Sequence, residues 1–235
     1  FVPFDLGADD TDQAFACAAQ ADGRIVLAGR ASDDDGEFNK IAVARVGIDG
    51  LPDPSFGVAG RVAIDLTALG FALDSGNARA VVIDSLGRLL VVGTVHPAAG
   101  GENRVFVTRL LANGAIDQTF LYNGISGGWY FSTDLQSVST AALDLAGNLW
   151  IVGTELGDLT GDWAFLRLDP NGLEFASETI PIAGFTWSMP TAILFQPDSK
   201  AVIGGWGQQG SPTFHSSFLV HRLLAGAPSA PDPSF

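Results

Sequence analysis

Four arginines fall at matching places along this chain: Arg45, Arg109, Arg167 and Arg222. Guanidinium groups on a regular spacing either ring a bound anion or pair with carboxylates and stitch neighbouring strands together. Asp5, Asp65 and Asp134 recur on what reads as the outermost strand of three copies. They are the expected partners, because a feature present in every copy of a repeat serves the copy.

A second group is acidic. Asp33, Asp34, Asp35 and Glu37 share one loop, and Asp9, Asp10 and Asp12 another. Ca²⁺ takes several oxygen ligands from flexible carboxylates, so the first loop is the candidate cation site. Its text, SDDDGEFN, lacks the alternating spacing and distal Glu of an EF-hand loop, and a solvated turn is the plainer account. No other cofactor is expected. A third group is aromatic. Trp129, Trp187 and Trp206 fall near strand ends, with Tyr122, Tyr130 and Phe185. Exposed rings there would stack on sugars or anchor a protein; packing between sheets is the plainer account. His96 and His215 complete the ligand-binding candidates. Trp150 and Trp163 sit inside strands and read as core.

Motifs for covalent or metal chemistry are scarce. There is no G-x-S-x-G elbow, no H-E-x-x-H, no Cys/His cluster and no phosphate loop ending in Lys. The paired carboxylates of glycoside hydrolysis are judged by separation in space, which spacing along the chain does not give. Cys17 is the one cysteine, which excludes an internal disulfide framework; within AFACAAQ it reads as a small buried hydrophobe.

Composition narrows the class. The net charge of −14, with 12 Lys and Arg, argues against nucleic acid and against anionic membranes. No run of 18 apolar residues is present, so no transmembrane helix is expected. A basic protein, a neutral sugar or a cation suits the charge. Hydrophobic residues make up 47% and charged ones 16%, enough for a sizeable core, and 29 glycines favour many turns.

The elements that would position these groups come from one repeated phrase. QADGRIVLAG (20–29) recurs as DSLGRLLVVG (84–93), DLAGNLWIVG (144–153) and QPDSKAVIGG (196–205). The closing glycines are 64, 60 and 52 residues apart. Each copy reads as a tight hairpin turn followed by a buried strand. A third strand follows in IAVARV, VFVTRL, WAFLRL and SFLVHRL, each carrying its arginine. A fourth is placed at Arg61–Leu66, Trp129–Leu135 and within 175–180. Four short strands per copy predict an all-β propeller of four blades of four antiparallel strands, rather than a sandwich or barrel. The copies run roughly 7–66, 67–135, 136–186 and 187–235. The opening FVPFDL matches RVAIDL at 61–66, and the closing PDPSF repeats 52–56. The start of the chain is therefore expected to supply the outer strand of the last blade, closing one domain and removing open edges.

The unit QADGRIVLAG…IAVARVGIDGLPDPSFGVAG resembles the bacterial delta-60 repeat. The second copy follows it through VVGT and FVTRLLANGAIDQTF, while the third lacks the D-x-S-F element and the fourth has Ser199 in place of Gly. The resemblance implies a propeller-like fold and a secreted or cell-surface bacterial protein, with no settled activity. The function expected is a non-catalytic module binding protein or carbohydrate. The alternatives are a propeller hydrolase with its site at one channel opening, with Glu155, Asp158 and Gln208 as further loop candidates, or a self-associating surface subunit. A site is expected where the copies disagree, in the loops at 31–40, 94–104, 154–162 and 206–216.

Overall fold

The computed structural model describes residues 12–32, 40–66, 73–98, 100–122, 125–132, 134–155, 162–210, 215–224 and 227–235. The chain divides into two units, Phe1–Ser132 and Thr133–Phe235. Each carries two four-stranded antiparallel sheets, so the fold is all-β and propeller-like.

In the first unit, one sheet runs β1 (Asp12–Ala19), β2 (Ile25–Ala31), β3 (Lys40–Val46) and β4 (Arg61–Asp65). The next holds β5 (Leu73–Ile83), β6 (Leu89–Pro97) and β7 (Arg104–Leu110); a two-residue pair, β8 (Leu121–Tyr122) and β9 (Ile125–Ser126), precedes its outer strand β10 (Trp129–Ser132). In the second unit, β11 (Leu135–Leu143), β12 (Leu149–Glu155), β13 (Trp163–Leu168) and β14 (Glu174–Ile180) form one sheet. The last is β15 (Trp187–Phe195), β16 (Ala201–Gln209), β17 (His215–Leu224) and β18 (Ala227–Pro231). Each unit has its own core. Val43, Phe56, Val91, Phe106 and Phe131 belong to the first, and Trp150, Trp163, Phe165 and Ile203 to the second.

The repeated phrase makes the first hairpin of each sheet. Gly23, Gly87 and Gly147 sit in its turn at φ 87°, 74° and 84°, which a side chain resists. In the fourth copy Ser199 takes φ 64°, so that turn carries strain the others avoid. The closing glycine answers to a different constraint. Each first strand has a bulge, between Ala14 and Ala16, Ala78 and Ala80, Val138 and Thr140, and Pro190 and Ala192. The bulge drives a backbone carbonyl toward the second strand, where the glycine receives it. A Cβ on Gly29, Gly93, Gly153 or Gly205 would lie 1.8, 2.0, 1.8 or 2.2 Å from the oxygen of Gln13, Asn77, Ser137 or Met189. No side chain fits there, which is why this letter survives in every copy.

Two expectations change. Cys17 is exposed. Beyond the bulge, strand alternation turns Ala16 and Ala18 toward the core and leaves Phe15, Cys17 and Ala19 on the open face of β1. The stretch Trp129–Leu135 is not one strand: β10 stops at Ser132, and Leu135, fully buried, opens β11 of the next sheet opposite Glu155. The expected N-terminal strand, with Asp5, lies outside the described residues. In the last sheet β18 pairs with β17 only at Leu223↔Pro231 and Leu224↔Ala227. The first of these corresponds to the isolated bridges Val46↔Pro52 and Leu110↔Ile116 of earlier copies, so β18 is the turn motif rather than a full outer strand. The third strand is accordingly exposed here, Phe218 at 96%, whereas β3, β7 and β13 are buried.

Candidate functional site

A sequential antiparallel sheet has two unlike ends. The connections from first to second strand and from third to fourth lie at one end, and that from second to third at the other. The first holds the repeated turns, the second the divergent loops.

At the turn end the arginines find their partners. Arg45 Nε donates to Asp53 Oδ2 at 2.8 Å, and Arg45 Nη2 to Ser55 Oγ at 3.0 Å. Asp53 Oδ1 accepts from the Ser55 amide at 3.0 Å and its hydroxyl at 2.7 Å. Arg24 from the first hairpin adds a second cation, 3.2 Å from Asp53 Oδ2. Arg45 also lies over the Phe56 ring at 4.7 Å and donates to the Ala112 carbonyl of the next repeat. The second copy repeats this with Arg109, Asp117, Thr119, Phe120 and Arg88. The fourth uses Arg222, Asp232, Ser234, Phe235 and Lys200. The Ser55 hydroxyl, then its amide and the two arginines, hold the Asp53 carboxyl below its usual range against the opposing cost of burial. For Asp117 burial is the largest influence and raises the pKa, but Thr119 and Arg109 outweigh it, and the carboxyl is lowered. Burial likewise lowers the Arg109 guanidinium. Every polar atom named is paired, so this end is scaffold.

The partner differs from the one expected. Asp65 stands opposite Lys40, at the far end of β3 from Arg45, and Asp134 precedes β11 in the second unit. The true partner is the Asp of D-x-S/T-F, eight or ten residues after its arginine. The PDPSF motif was visible in the sequence, and its recurrence with the arginine is the signal that identifies the pair. The third copy, lacking that motif, sets Arg167 Nη2 3.3 Å from Glu178 Oε1.

The loop ends differ from sheet to sheet. In the second unit, register places three acidic residues at the same end of one sheet. Glu155 ends β12 opposite Leu135, beside which Asp134 stands exposed. One step beyond the Thr154↔Trp163 pair, Asp162 precedes β13 and accepts the Ile182 amide at 2.8 Å. On the neighbouring sheet of the same unit, Trp187 and Trp206 meet edge to face with centroids 4.8 Å apart. Trp187 is 42% exposed and stands opposite Gln208. Thr186 bonds the Gln208 carbonyl through both amide and hydroxyl, fixing the approach to Trp187. His215 is exposed opposite Gln209. Acidic residues thus stand at the same kind of strand end as an aromatic pair.

The remaining candidates separate. In the first unit Trp129 packs on Phe106 at 5.2 Å as partly buried core, and His96 Nδ1 lies 2.6 Å from Asn103 Oδ1. Asp33, Asp34, Asp35 and Glu37 lie outside the described residues, as does Asp158. Among the described residues no three His, Cys, Asp or Glu side chains come together as a metal site. Phe15 and Arg79, the extra residues of the first two bulges, are a grouping that sequence reasoning missed; only the bulge, invisible in the sequence, relates them.

Comparison with known proteins agrees with the fold. Two segments of the chain match a propeller repeat family. They are residues 20–56 and 87–120, and the family is described as "Domain of unknown function (DUF5122) beta-propeller". No curated protein matches the chain. Among solved structures, a protein of unknown function from Dyadobacter fermentans aligns at 12% identity and TM-score 0.54, covering 92% of this chain and 62% of that one. A putative exo-β-1,3-galactanase from Bifidobacterium bifidum aligns at 14% identity and TM-score 0.46, over 86% of this chain and 64% of the other. An exo-β-1,3-galactanase from Phanerochaete chrysosporium aligns at 13% and 0.47, over 90% and 46%. The chain therefore spans less than two thirds of each of these proteins, and the likeness is one of fold. The similar structures with a stated activity are described as glycan-cleaving enzymes, so none of them supports the expected non-catalytic module.

Proposed function

We propose that this chain hydrolyses a carbohydrate at the loop end of the Thr133–Phe235 unit. The observation that carries the reading is the pair of exposed Trp187 and half-buried Trp206 in the same unit as Asp134, Glu155 and Asp162. An indole face covers the apolar face of a pyranose, and glycoside hydrolysis needs two carboxylates, one donating a proton to the leaving oxygen and one acting as base or nucleophile. Glu155, between the two aspartates in register, takes the acid role; Asp162, already oriented by the Ile182 amide, takes the other. Ring closure by the N-terminal strand belongs to the same proposal. The match of FVPFDL to RVAIDL, and the edge of β17 left largely unpaired among the described residues, support it. A secreted or surface setting follows from the delta-60 resemblance.

The test is release of reducing ends from galactan, arabinan and xylan by the full chain. Turnover of one of them is expected, falling at least about 100-fold in Glu155→Gln, the low end of what a general acid contributes. Trp187→Ala should raise KM more than it lowers kcat. A folded chain that cleaves no polysaccharide, or a Glu155→Gln variant with full activity, overturns the reading.

A further inference from the structure

The first unit holds an arrangement that neither the repeat nor the proposed hydrolysis uses. Bulges re-aim the extra residue of a strand. In β1 that residue is Phe15 and in β5 it is Arg79, and the two meet: the Arg79 guanidinium carbon lies 4.6 Å from the centre of the Phe15 ring. Arg30 of β2 approaches the same ring at 5.6 Å, oriented by two bonds, 3.0 and 2.8 Å, to Gln13 Oε1. The corresponding residues of the other two bulges are Ser139 and Thr191, so the grouping is special to this unit.

Its charge is the unusual part. Acidic residues outnumber basic ones 26 to 12 in this chain. Arg24, Arg45, Arg88, Arg109, Arg167 and Arg222 each have a carboxylate. Arg79 has no hydrogen bond or ion pair among the described residues; its contact there is the ring. Arg79 therefore keeps its planar donor fork uncommitted among the described residues, beside a second guanidinium, and a carboxylate would engage that fork. Phe15 is 40% exposed, so an apolar surface adjoins the cations.

We infer that Phe15, Arg30 and Arg79 form a binding site for an acidic sugar, its carboxylate on the guanidinium groups and its ring against the phenyl edge. The inference does not rest on the hydrolytic reading, because it concerns binding in the other unit and is measured without turnover. Calorimetric titration of the full chain with oligogalacturonate, with its neutral methyl ester and with sodium sulfate decides it. The expected result is saturable binding of the acid, weaker at higher salt, and none of the ester. Arg79→Gln and Arg30→Gln should each weaken it about tenfold or more, as loss of a hydrogen bond to a charged group does, with unchanged circular dichroism. Equal binding of acid and ester, or sulfate binding as tightly as the sugar acid, overturns the assignment. So does unchanged affinity in Arg79→Gln, or no binding of the acid by the folded chain.

Discussion

The second and third repeats fold the same four-stranded meander over the same kind of turn, yet they hold their arginine in different ways. In the second, Arg109 is buried against Asp117, whose other oxygen is closed by Thr119, and Arg88 reaches the same carboxylate from the hairpin. In the third, Asn148 replaces that hairpin arginine and no D-x-S/T-F motif follows. Asp144 turns instead to Asn148 Nδ2 and Trp150 Nε1. Arg167 lies among rings, 4.9 Å from Trp150 and 4.8 Å from Phe175, with a half-buried Glu178 at 3.3 Å. Its Nε is buried without a hydrogen-bond partner among the described residues. One repeat satisfies its guanidinium with fixed carboxylate oxygens, the other covers it with aromatic faces. The position therefore holds a long side chain in both, against a buried carboxylate in the second repeat and a partly exposed one in the third.

The comparison breaks most sharply at the buried carboxylate. Asp117→Ala leaves Arg109 buried and unpaired and should cost about 3–5 kcal/mol. In thermal unfolding that is a fall of roughly 6–20 °C at about 2–4 °C per kcal/mol. A loss below about 1 kcal/mol would mean that Arg109 is held by its ring contact, as Arg167 is. Next in size is what the repeats share. Gly93→Ala and Gly153→Ala each set a methyl against a carbonyl oxygen, at 2.0 and 1.8 Å, and should cost about 3 kcal/mol apiece. Unequal losses would show that the two bulges are not equivalent.

How much of this was legible follows from the range of the forces involved. The hairpin turns and the buried second and third strands were readable because their causes are local: a Gly at positive φ, and a run of apolar residues. The glycines at 29, 93, 153 and 205 were readable as recurrent but not as explained, since the carbonyl they receive belongs to a strand some sixteen residues earlier. The arginine partners were misplaced for a related reason. Asp65 and Asp53 both follow Arg45, and only the turn at 57–60 decides which returns to it, with Gly60 accepting the Arg45 amide. Of the candidate site, Trp187 and Trp206 were legible as aromatic residues near strand ends. The placing of Asp134, Glu155 and Asp162 at one sheet end depends on strand register, and Phe15 with Arg79 on bulges, neither of which a single sequence displays.

Acid sharpens the comparison further. Asp53 and Asp117 have carboxyl pKa values lowered by folding, so the stability they contribute is complete above the unfolded carboxylate range and is lost as pH falls through their folded values. Between about pH 4 and pH 2 the wild-type chain should lose stability steadily, and Asp117→Asn should lose less over that interval because one linked proton is gone. A variant with the wild-type slope in denaturant titrations across this window would show that Asp117 is not the group being protonated.

The smallest effects lie in the third repeat and discriminate best. Glu178→Gln keeps the shape and removes a partly exposed charge, for which a loss below about 1 kcal/mol is expected. Arg167→Met keeps the long stem among Trp150, Phe165 and Phe175 and removes a buried Nε that has no partner among the described residues. Burial lowers the pKa of this guanidinium, as it does for Arg109, with Glu178 and Asp144 opposing it. Replacing a poorly paired buried charge by an apolar side chain of similar length is neutral to stabilising, within about 1 kcal/mol. The same change at Arg109 strands Asp117 beside a cation too distant, at 3.6 Å, for a good hydrogen bond, and should cost severalfold more. If Arg167→Met and Arg109→Met destabilise equally in urea, the aromatic cage does not substitute for the ion pair, and the two repeats hold their arginine by the same electrostatics after all.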